Sequence, residues 1–151
     1  MSDERLWPTY QVCEQLNVPI IAHSGPDRES RGFAEPRAFA KMLDSFPQLR
    51  VVIAHLGGGS WIQTLDIANA YPNTFFDCCE IVAWTQSENG PTEQELARLI
   101  RDIGSSRVMM GSDFPWYDLD YSIDRVFSLP ILSIEEKERI IGANAVDILG
   151  L

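Results

Sequence analysis

The chain contains 151 residues, of which 45% are hydrophobic, and its 22 acidic and 12 basic residues give a formal net charge of −10. This length suits one domain with its own core, and the negative charge argues against nucleic acids and anionic membranes as partners, because both present phosphate. No apolar stretch approaches the roughly 20 residues that cross a bilayer, and residues 1–5 lack a signal peptide's basic and apolar regions, so we expect a soluble cytoplasmic protein.

The first predicted elements are a helix and a strand. Residues 8–16 carry apolar side chains at helical spacing, with Pro8 in the first turn, where a missing N–H does no harm. The β-branched run of residues 18–22 then predicts a buried strand. This strand ends at His23, and a polar loop follows it over residues 24–32.

The second and third strands each follow a predicted helix. The first of these helices ends at Pro47 and has an apolar face made of Phe39, Met42, Leu43 and Phe46. The strand of residues 51–54 comes next and ends at His55. Residues 56–60 then open a helix whose apolar side chains at helical spacing are Trp61, Ile62, Leu65 and Ala68. Residues 73–79 form the third predicted strand.

Two capping boxes mark the last helices. Thr92 with Glu95 opens a helix that ends at Gly104 and has an apolar face of Leu96, Leu99, Ile100 and Ile103. The fourth strand, residues 107–112, runs into Asp113. A second box, Ser133 with Glu136, opens helical segments that continue to the end of the chain. The predicted order is therefore a helix followed by four strand-helix units.

Three of the four predicted strands end in a residue that can bind a metal or move a proton, namely His23, His55 and Asp113. Alternating strands and helices predict a parallel sheet, in which the carboxyl ends of the strands lie together and carry the active site. Imidazole and carboxylate groups suit zinc. The pattern therefore predicts a site for metal binding or proton transfer at this edge.

Each of these residues also has a structural interpretation. A buried histidine is often only a hydrogen-bonded member of the core, and Asp113 before a Phe-Pro pair suits a turn. Residues 57–59, three glycines, lack the spacing of a phosphate loop and favour close backbone packing. A catalytic triad that uses Ser24 or Ser60 lacks the Gly-x-Ser-x-Gly elbow.

The cysteines do not form a recognisable framework. Cys13, Cys78 and Cys79 are odd in number and show no C-x-x-C spacing. Neither a set of disulfides nor a thiolate zinc site is indicated. We expect reduced thiols, mostly buried.

Four segments together resemble the amidohydrolase-related family, the branch of the amidohydrolase superfamily that includes aminocarboxymuconate semialdehyde decarboxylase. They are residues 17–25 (NVPIIAHSG), 51–58 (VVIAHLGG), 108–115 (VMMGSDFP) and 140–151 (IIGANAVDILGL), which resemble in order strands five, six and eight and the final helix. The resemblance implies a TIM (β/α)8 barrel of the metal-dependent hydrolase type, present as its C-terminal half over residues 1–151.

The resemblance also implies roles for the three strand-end residues. His23 is expected to ligate a divalent metal, with zinc as the expected ion. His55 is expected to ligate the metal or to act in catalysis, and Asp113 to bind the metal or its water and to shuttle a proton. The expected activity is hydrolysis of a small organic acid, amide or lactone by a metal-activated water, with metal-dependent decarboxylation as the alternative.

Three further residues are candidates for substrate binding. Arg28, in the loop after the first histidine, suits bidentate pairing with a substrate carboxylate, and a solvated loop residue is the equal alternative. Trp84 and Trp116 each stand just beyond a strand end, where they are expected to wall a pocket. Core or interface packing is the alternative for both tryptophans.

The chain departs from the family pattern in one respect. Family members begin with a strand that carries a His-x-His pair of metal ligands, and this chain contains no such pair. We therefore expect activity only together with the missing N-terminal half. A half-barrel also leaves the strands of residues 18–22 and 108–110 bare and without a partner strand, so we expect a homo-oligomer when the chain is alone. The alternative is a non-catalytic fragment that acts only as an association surface.

Overall fold

One parallel sheet forms the centre of the fold. A computed structural model describes residues 1–26, 32–85, 87–88 and 90–151. The four strands pair in chain order, and they are β1 (Ile20–Ala22), β2 (Val51–Ile53), β3 (Thr74–Asp77) and β4 (Val108–Met109). All three pairs are parallel. The predicted strands and their order are confirmed, although each strand is shorter than its apolar run.

Helices precede and follow the strands. They are α1 (Trp7–Gln15), α2 (Ala40–Ser45), α3 (Thr64–Ala70), α4 (Glu93–Ile103), α5 (Leu119–Ser128), α6 (Ile134–Glu138) and α7 (Asn144–Leu149). Short helical turns occur at Glu4–Leu6, Pro36–Phe39 and Ser105–Arg107, and a wide turn over Arg139–Ala143 joins α6 to α7. Within the described ranges no helix is long and apolar enough to cross a bilayer.

Both predicted capping boxes are present. The Thr92 hydroxyl accepts the N–H of Glu95, and the Glu95 carboxylate accepts the N–H of Thr92. The backbone N–H of Thr92 and then its hydroxyl, which both donate to the Glu95 carboxylate, lower the pKa of that carboxyl. Ser133 and Glu136 repeat the arrangement at the start of α6.

The helix that sequence reasoning missed is α5, whose Arg125 pairs with Glu93 at 2.6 Å.

The sheet is covered on both faces. Ile53, Phe76 and Val108 are fully buried in the main core with the helices, and they stand in register across β2, β3 and β4. The residues that alternate with them point to the opposite face. There, Val52 and Met109 pack against Ile148 of α7. This second face is what a complete barrel would enclose.

Helix α7 packs on the second face of the sheet, but it does not reach β1. The Asn144 amide group donates to the Val108 carbonyl at 2.7 Å, which fixes the start of α7 beside β4. The expectation of a bare strand at residues 108–110 is therefore wrong for Val108 and Met109, whose side chains are buried, and Val52 of β2 is fully buried as well. Ile21, in register with Val52, remains 54% exposed. The open part of the sheet is thus the β1 edge.

We expect this edge to drive self-association, because an apolar strand at the edge of a sheet pairs readily with another chain. Light scattering after size-exclusion chromatography at tens of micromolar should give a mass of a dimer or larger. Replacing the exposed Ile21 by Lys should shift the protein toward the monomer, since a charge on an edge strand opposes pairing. A monodisperse 17.0 kDa species for the unmodified chain would contradict this expectation.

The turn after β2 differs from the expected helix start. Residues 54–63 form an irregular series of turns in which His55, Leu56, Gly57 and Gly58 have positive φ, and regular helix begins only at Thr64. At Gly57, φ is +86°, and a Cβ would lie 2.6 Å from the Thr64 hydroxyl oxygen and 2.7 Å from Pro36 Cγ. Close backbone packing, predicted for this glycine run, is confirmed.

Replacing Gly57 by Ala should therefore destabilise the fold by about 2–4 kcal/mol, through the left-handed backbone and the steric overlap together. Urea unfolding measures the change. Gly142→Ala is the matched control, because a Cβ there meets no atom within 4 Å, and its effect should stay within about 1 kcal/mol. Equal stability of the Gly57→Ala protein would show that the turn rearranges freely.

Candidate metal centre

Polar side chains gather at the carboxyl edge of the sheet. His23 follows β1, His55 follows β2, Cys79 follows β3 and Asp113 follows β4. Because parallel strands end on the same side, short segments of chain bring these residues together. Three of them form a potential metal-binding group: the ligating atoms of His55, Cys79 and Asp113 all lie within 4.8 Å of one another.

The two histidines face each other. His55 Nε2 lies 3.1 Å from His23 Nδ1, and the ring centroids are 5.0 Å apart. Two nitrogens bound to one tetrahedral zinc at roughly 2.0–2.1 Å would lie about 3.3 Å apart, so this spacing suits shared coordination. His55 is buried, whereas His23 is exposed. The open side of the pair is therefore the side of His23.

The other ring nitrogen of His55 faces β3. His55 Nδ1 lies 3.1 Å from Cys79 Sγ and 3.4 Å from the Cys79 carbonyl oxygen. A carboxylate oxygen of Glu80 lies 3.6 Å from the same nitrogen. Both nitrogens of this imidazole thus have polar neighbours, the second histidine on one side and a thiol with a carboxylate on the other.

Asp77 holds the buried side of this arrangement together. Its Oδ1 accepts the backbone N–H of His55 at 2.9 Å, the backbone N–H of Cys79 at 3.2 Å and the Cys79 thiol at 2.7 Å. Burial raises the pKa of the Asp77 carboxyl, although these hydrogen bonds oppose the shift. One oxygen at the end of β3 therefore fixes the backbone of two members of the metal-binding group.

The Cys79 thiol is buried and close to negative charge. Burial, followed by the nearby Asp77 carboxylate, raises the pKa of this thiol. Gly111 makes room for the side chain, because a Cβ at that position would lie 3.1 Å from the Cys79 Cβ. The glycine at the end of β4 thus lets the sulfur approach the neighbouring strand.

Left-handed backbone is concentrated at this edge. His55, Glu80 and Asp113 have φ of +60°, +59° and +54°. A residue other than glycine in this region costs of order 1–3 kcal/mol and persists where its surroundings impose it, which is common at functional sites. Three strand ends carry this strain at the point where their side chains meet.

The structure brings together some of the predicted residues. His55 and Asp113 join the metal-binding group, and His23 contacts it through His55. Arg28 lies outside the described residues. Ser24, weighed as a nucleophile, donates its hydroxyl hydrogen to the Ala34 carbonyl at 2.8 Å.

The two tryptophans have different environments. The Trp84 indole N–H donates to the Tyr117 hydroxyl at 3.2 Å, and this tryptophan is partly buried. Trp116 is 77% exposed, and its backbone N–H donates to the Asp113 carbonyl at 2.9 Å. Trp116 therefore stands in the same turn as Asp113. The roles of both in substrate binding remain predictions.

Sequence reasoning missed Asp77, Cys79 and Glu80. The third predicted strand extends to residue 79 and therefore includes Asp77 and Cys79. The strand in fact ends at Asp77, and the rule applied to the other three strands would have pointed here. The conclusion that no thiolate metal site is indicated relied on spacing along the chain, whereas this group takes one residue from each of three strand ends.

The donor set fits a divalent metal. An imidazole, a thiol and a carboxylate are all ligand types found around zinc, and catalytic zinc takes three protein ligands and keeps a further position open. His23 adds a second imidazole beside the first. The described part of the chain therefore supplies enough donors at one edge of the sheet to hold an ion.

Comparison with known proteins agrees with the fold. A family model described as amidohydrolase matches residues 1–151. The decarboxylase of 2-amino-3-carboxymuconate-6-semialdehyde from Dictyostelium discoideum is 26% identical, over 100% of this chain and 50% of its own length. Gamma-resorcylate decarboxylase from Polaromonas sp. is 23% identical, over 96% of this chain and 54% of its own. The chain thus spans about half the length of these curated relatives.

Solved structures show the same architecture. An uncharacterised TIM-barrel protein from Bordetella bronchiseptica has a TM-score of 0.80 at 25% identity, over 99% of this chain and 51% of its own. A dihydroxybenzoic acid decarboxylase from Polaromonas sp. JS666, with bound manganese, has a TM-score of 0.72 at 17% identity. The match covers 99% of this chain and 55% of the decarboxylase. An amidohydrolase from Burkholderia multivorans, with bound zinc, also has a TM-score of 0.72. It is 16% identical, and the match covers 99% of this chain and 58% of the amidohydrolase.

The four parallel strand-helix units therefore correspond to about half of a TIM barrel. The family match extends from the first residue to the last. It includes the strand ends at which His55, Cys79 and Asp113 meet. On this evidence, the chain belongs to the amidohydrolase family.

Proposed function

We propose that the protein built from this chain is a metal-dependent decarboxylase of a small aromatic or unsaturated carboxylic acid. The observation that carries the proposal is the meeting of His55, Cys79 and Asp113 at the active-site edge of a barrel-type sheet. Both curated relatives reported above are decarboxylases, which favours this reaction over the hydrolysis expected first from the sequence.

In this proposal His23, His55 and Asp113 hold the ion, with zinc as the proposed metal. When bound, the ion would act as a Lewis acid that polarises an oxygen of the substrate. Loss of carbon dioxide breaks a carbon–carbon bond and leaves its electron pair on the substrate carbon, which must then take up a proton. The Asp113 carboxylate, only half-buried, is proposed to ligate the ion through one oxygen and, through the other, to take up a proton from solvent and donate it to that carbon.

The remaining candidates would position the substrate. Arg28 is proposed to pair with a carboxylate of the acid, while Trp84 and Trp116 are proposed to provide apolar walls. The side chain of Trp116 is exposed beside Asp113, so it is available to contact a bound ring. The three cysteines are free, which supports the proposed cytoplasmic location, since reducing compartments keep thiols unpaired.

Hydrolysis is the second candidate. The family description, amidohydrolase, favours it, and the same ligands would serve to hold an ion whose water adds to an amide or lactone. The two reactions differ in their products: decarboxylation releases carbon dioxide, whereas hydrolysis consumes water and yields an acid with an amine or alcohol.

A product assay on the whole protein, with all eight strand units, separates the two reactions. The protein is stripped of metal, reloaded with zinc or manganese and supplied with a panel of hydroxybenzoic acids, carboxymuconate-type acids, amides and lactones. We expect metal-dependent release of carbon dioxide from an acid, and none with the His55→Ala variant. Turnover of an amide or lactone alone would establish the hydrolase, and metal-independent turnover would refute both.

A further inference from the structure

The thiol of Cys79 occupies a position in the metal-binding group that the roles proposed above do not use. We propose that Cys79 binds the ion together with Asp113 and the Nδ1 nitrogen of His55, in place of His23, which faces the other nitrogen of that ring. The centre is then a nitrogen, sulfur and oxygen site that selects zinc over manganese and magnesium. This inference rests on the proposed function in one respect, namely that an ion binds at this edge of the sheet.

The geometry places sulfur among the other donors. Cys79 Sγ lies 3.1 Å from His55 Nδ1. This sulfur, one ring nitrogen of His55 and a carboxylate oxygen of Asp113 all lie within 4.8 Å of one another. Cys78, the adjacent cysteine, is fully buried in the main hydrophobic core instead. The turn after β3 thus directs one of two neighbouring thiols toward the polar cluster and the other into the core.

The surroundings of Cys79 favour a fixed position for its sulfur. Asp77 accepts the thiol hydrogen at 2.7 Å and also the backbone N–H of the same residue. Gly111 leaves the space that the side chain fills. A ligand whose orientation is set by hydrogen bonds and packing loses little freedom when it binds an ion.

A sulfur donor changes which ions the site prefers. Thiolate is a soft ligand that suits zinc, cobalt and cadmium, whereas manganese and magnesium prefer carboxylate, carbonyl and water oxygens. On coordination the S–H bond is replaced by a sulfur–metal bond, and the proton is released to the solvent. No electron is transferred, so the step requires only the ion.

Cobalt(II) alone is the probe for this inference, because a thiolate ligand adds a charge-transfer absorption in the near ultraviolet to the visible bands of the ion. We expect the 151-residue chain to show both sets of bands. Cys79→Ser should lose the charge-transfer band, whereas Cys78→Ser and Cys13→Ser should keep it. Zinc affinity should fall more than about tenfold in Cys79→Ser, with manganese affinity nearly unchanged.

The outcomes separate this inference from the proposed function. Visible cobalt bands without charge transfer would overturn the sulfur ligand and leave the metal site standing. No cobalt binding by this chain would overturn the inference, and the product assay on the whole protein decides the proposed function separately. A charge-transfer band that persists in Cys79→Ser would assign the ligand to another cysteine and refute the inference. If Cys79→Ser does not fold, zinc-edge X-ray absorption of the unmodified protein decides: a sulfur neighbour at roughly 2.3 Å supports Cys79, and a shell of nitrogen and oxygen alone refutes it.

Discussion

In the whole protein, Asp113→Asn should lower kcat by about 10²–10⁴-fold, because the variant loses both a charged metal ligand and the proposed proton donor. His23→Ala and His55→Ala should each lose at least as much. Steady-state kinetics with saturating zinc measures these losses. Asp102→Asn is the matched control: Asp102 is exposed on α4, and its replacement should leave kcat unchanged.

The pattern among the variants identifies the roles. Loss in kcat with little change in KM is what an interaction made in the transition state predicts. Circular dichroism should show an intact fold in all three variants, because these side chains act at the ion and not in the hydrophobic core. A near-normal rate in Asp113→Asn would remove this residue from proton transfer.

The second large effect concerns stability. Asp77→Ala should lower the free energy of unfolding by about 2–5 kcal/mol, because two buried backbone N–H groups, those of His55 and Cys79, lose their shared acceptor. Asp77→Asn should lose less, since an amide oxygen can still accept both. Urea unfolding of the three proteins measures the difference, and equal stability of Asp77→Ala would show that this oxygen does not hold the site.

The pH dependence of the same proteins follows from the raised pKa of Asp77. The folded state holds the proton of this carboxyl more tightly than the unfolded state, in which the pKa of the carboxyl is 3.8. Between pH 3.8 and the raised pKa of the folded state, the folded state therefore binds more protons than the unfolded state, and the free energy of unfolding falls as pH rises. The free energy of unfolding of the unmodified protein, minus that of Asp77→Asn, should decrease through this window. An increase would contradict the direction of the shift.

Elements defined by local chemistry were predictable from the sequence. The capping boxes at Thr92 and Ser133 specify helix starts through hydrogen bonds to residues three positions away. The strand ends at His23 and His55 were predictable because short apolar runs stop at polar residues. In both cases the residues that make up the signal lie within a few positions of one another in the sequence. The structure contains the predicted helix starts and strand ends where they were expected.

Features that depend on distant parts of the chain were not predictable in this way. Cys79 enters the polar cluster because β3 lies between β2 and β4 in the sheet and ends at Asp77. Similarly, α7 buries Val52 through the contact of Ile148 with the second face of the sheet. Neither contact has a signature in local spacing, since each depends on how the sheet and its helices pack.

The central claim is that His55 and Asp113 bind one divalent ion at the carboxyl edge of the sheet. The most direct test is anomalous diffraction at the zinc absorption edge from crystals of this chain grown with zinc. We expect a single strong peak within bonding distance, roughly 2.0–2.2 Å, of a His55 ring nitrogen and an Asp113 carboxylate oxygen. Zinc bound only elsewhere, or an empty edge in crystals that contain zinc, would contradict it.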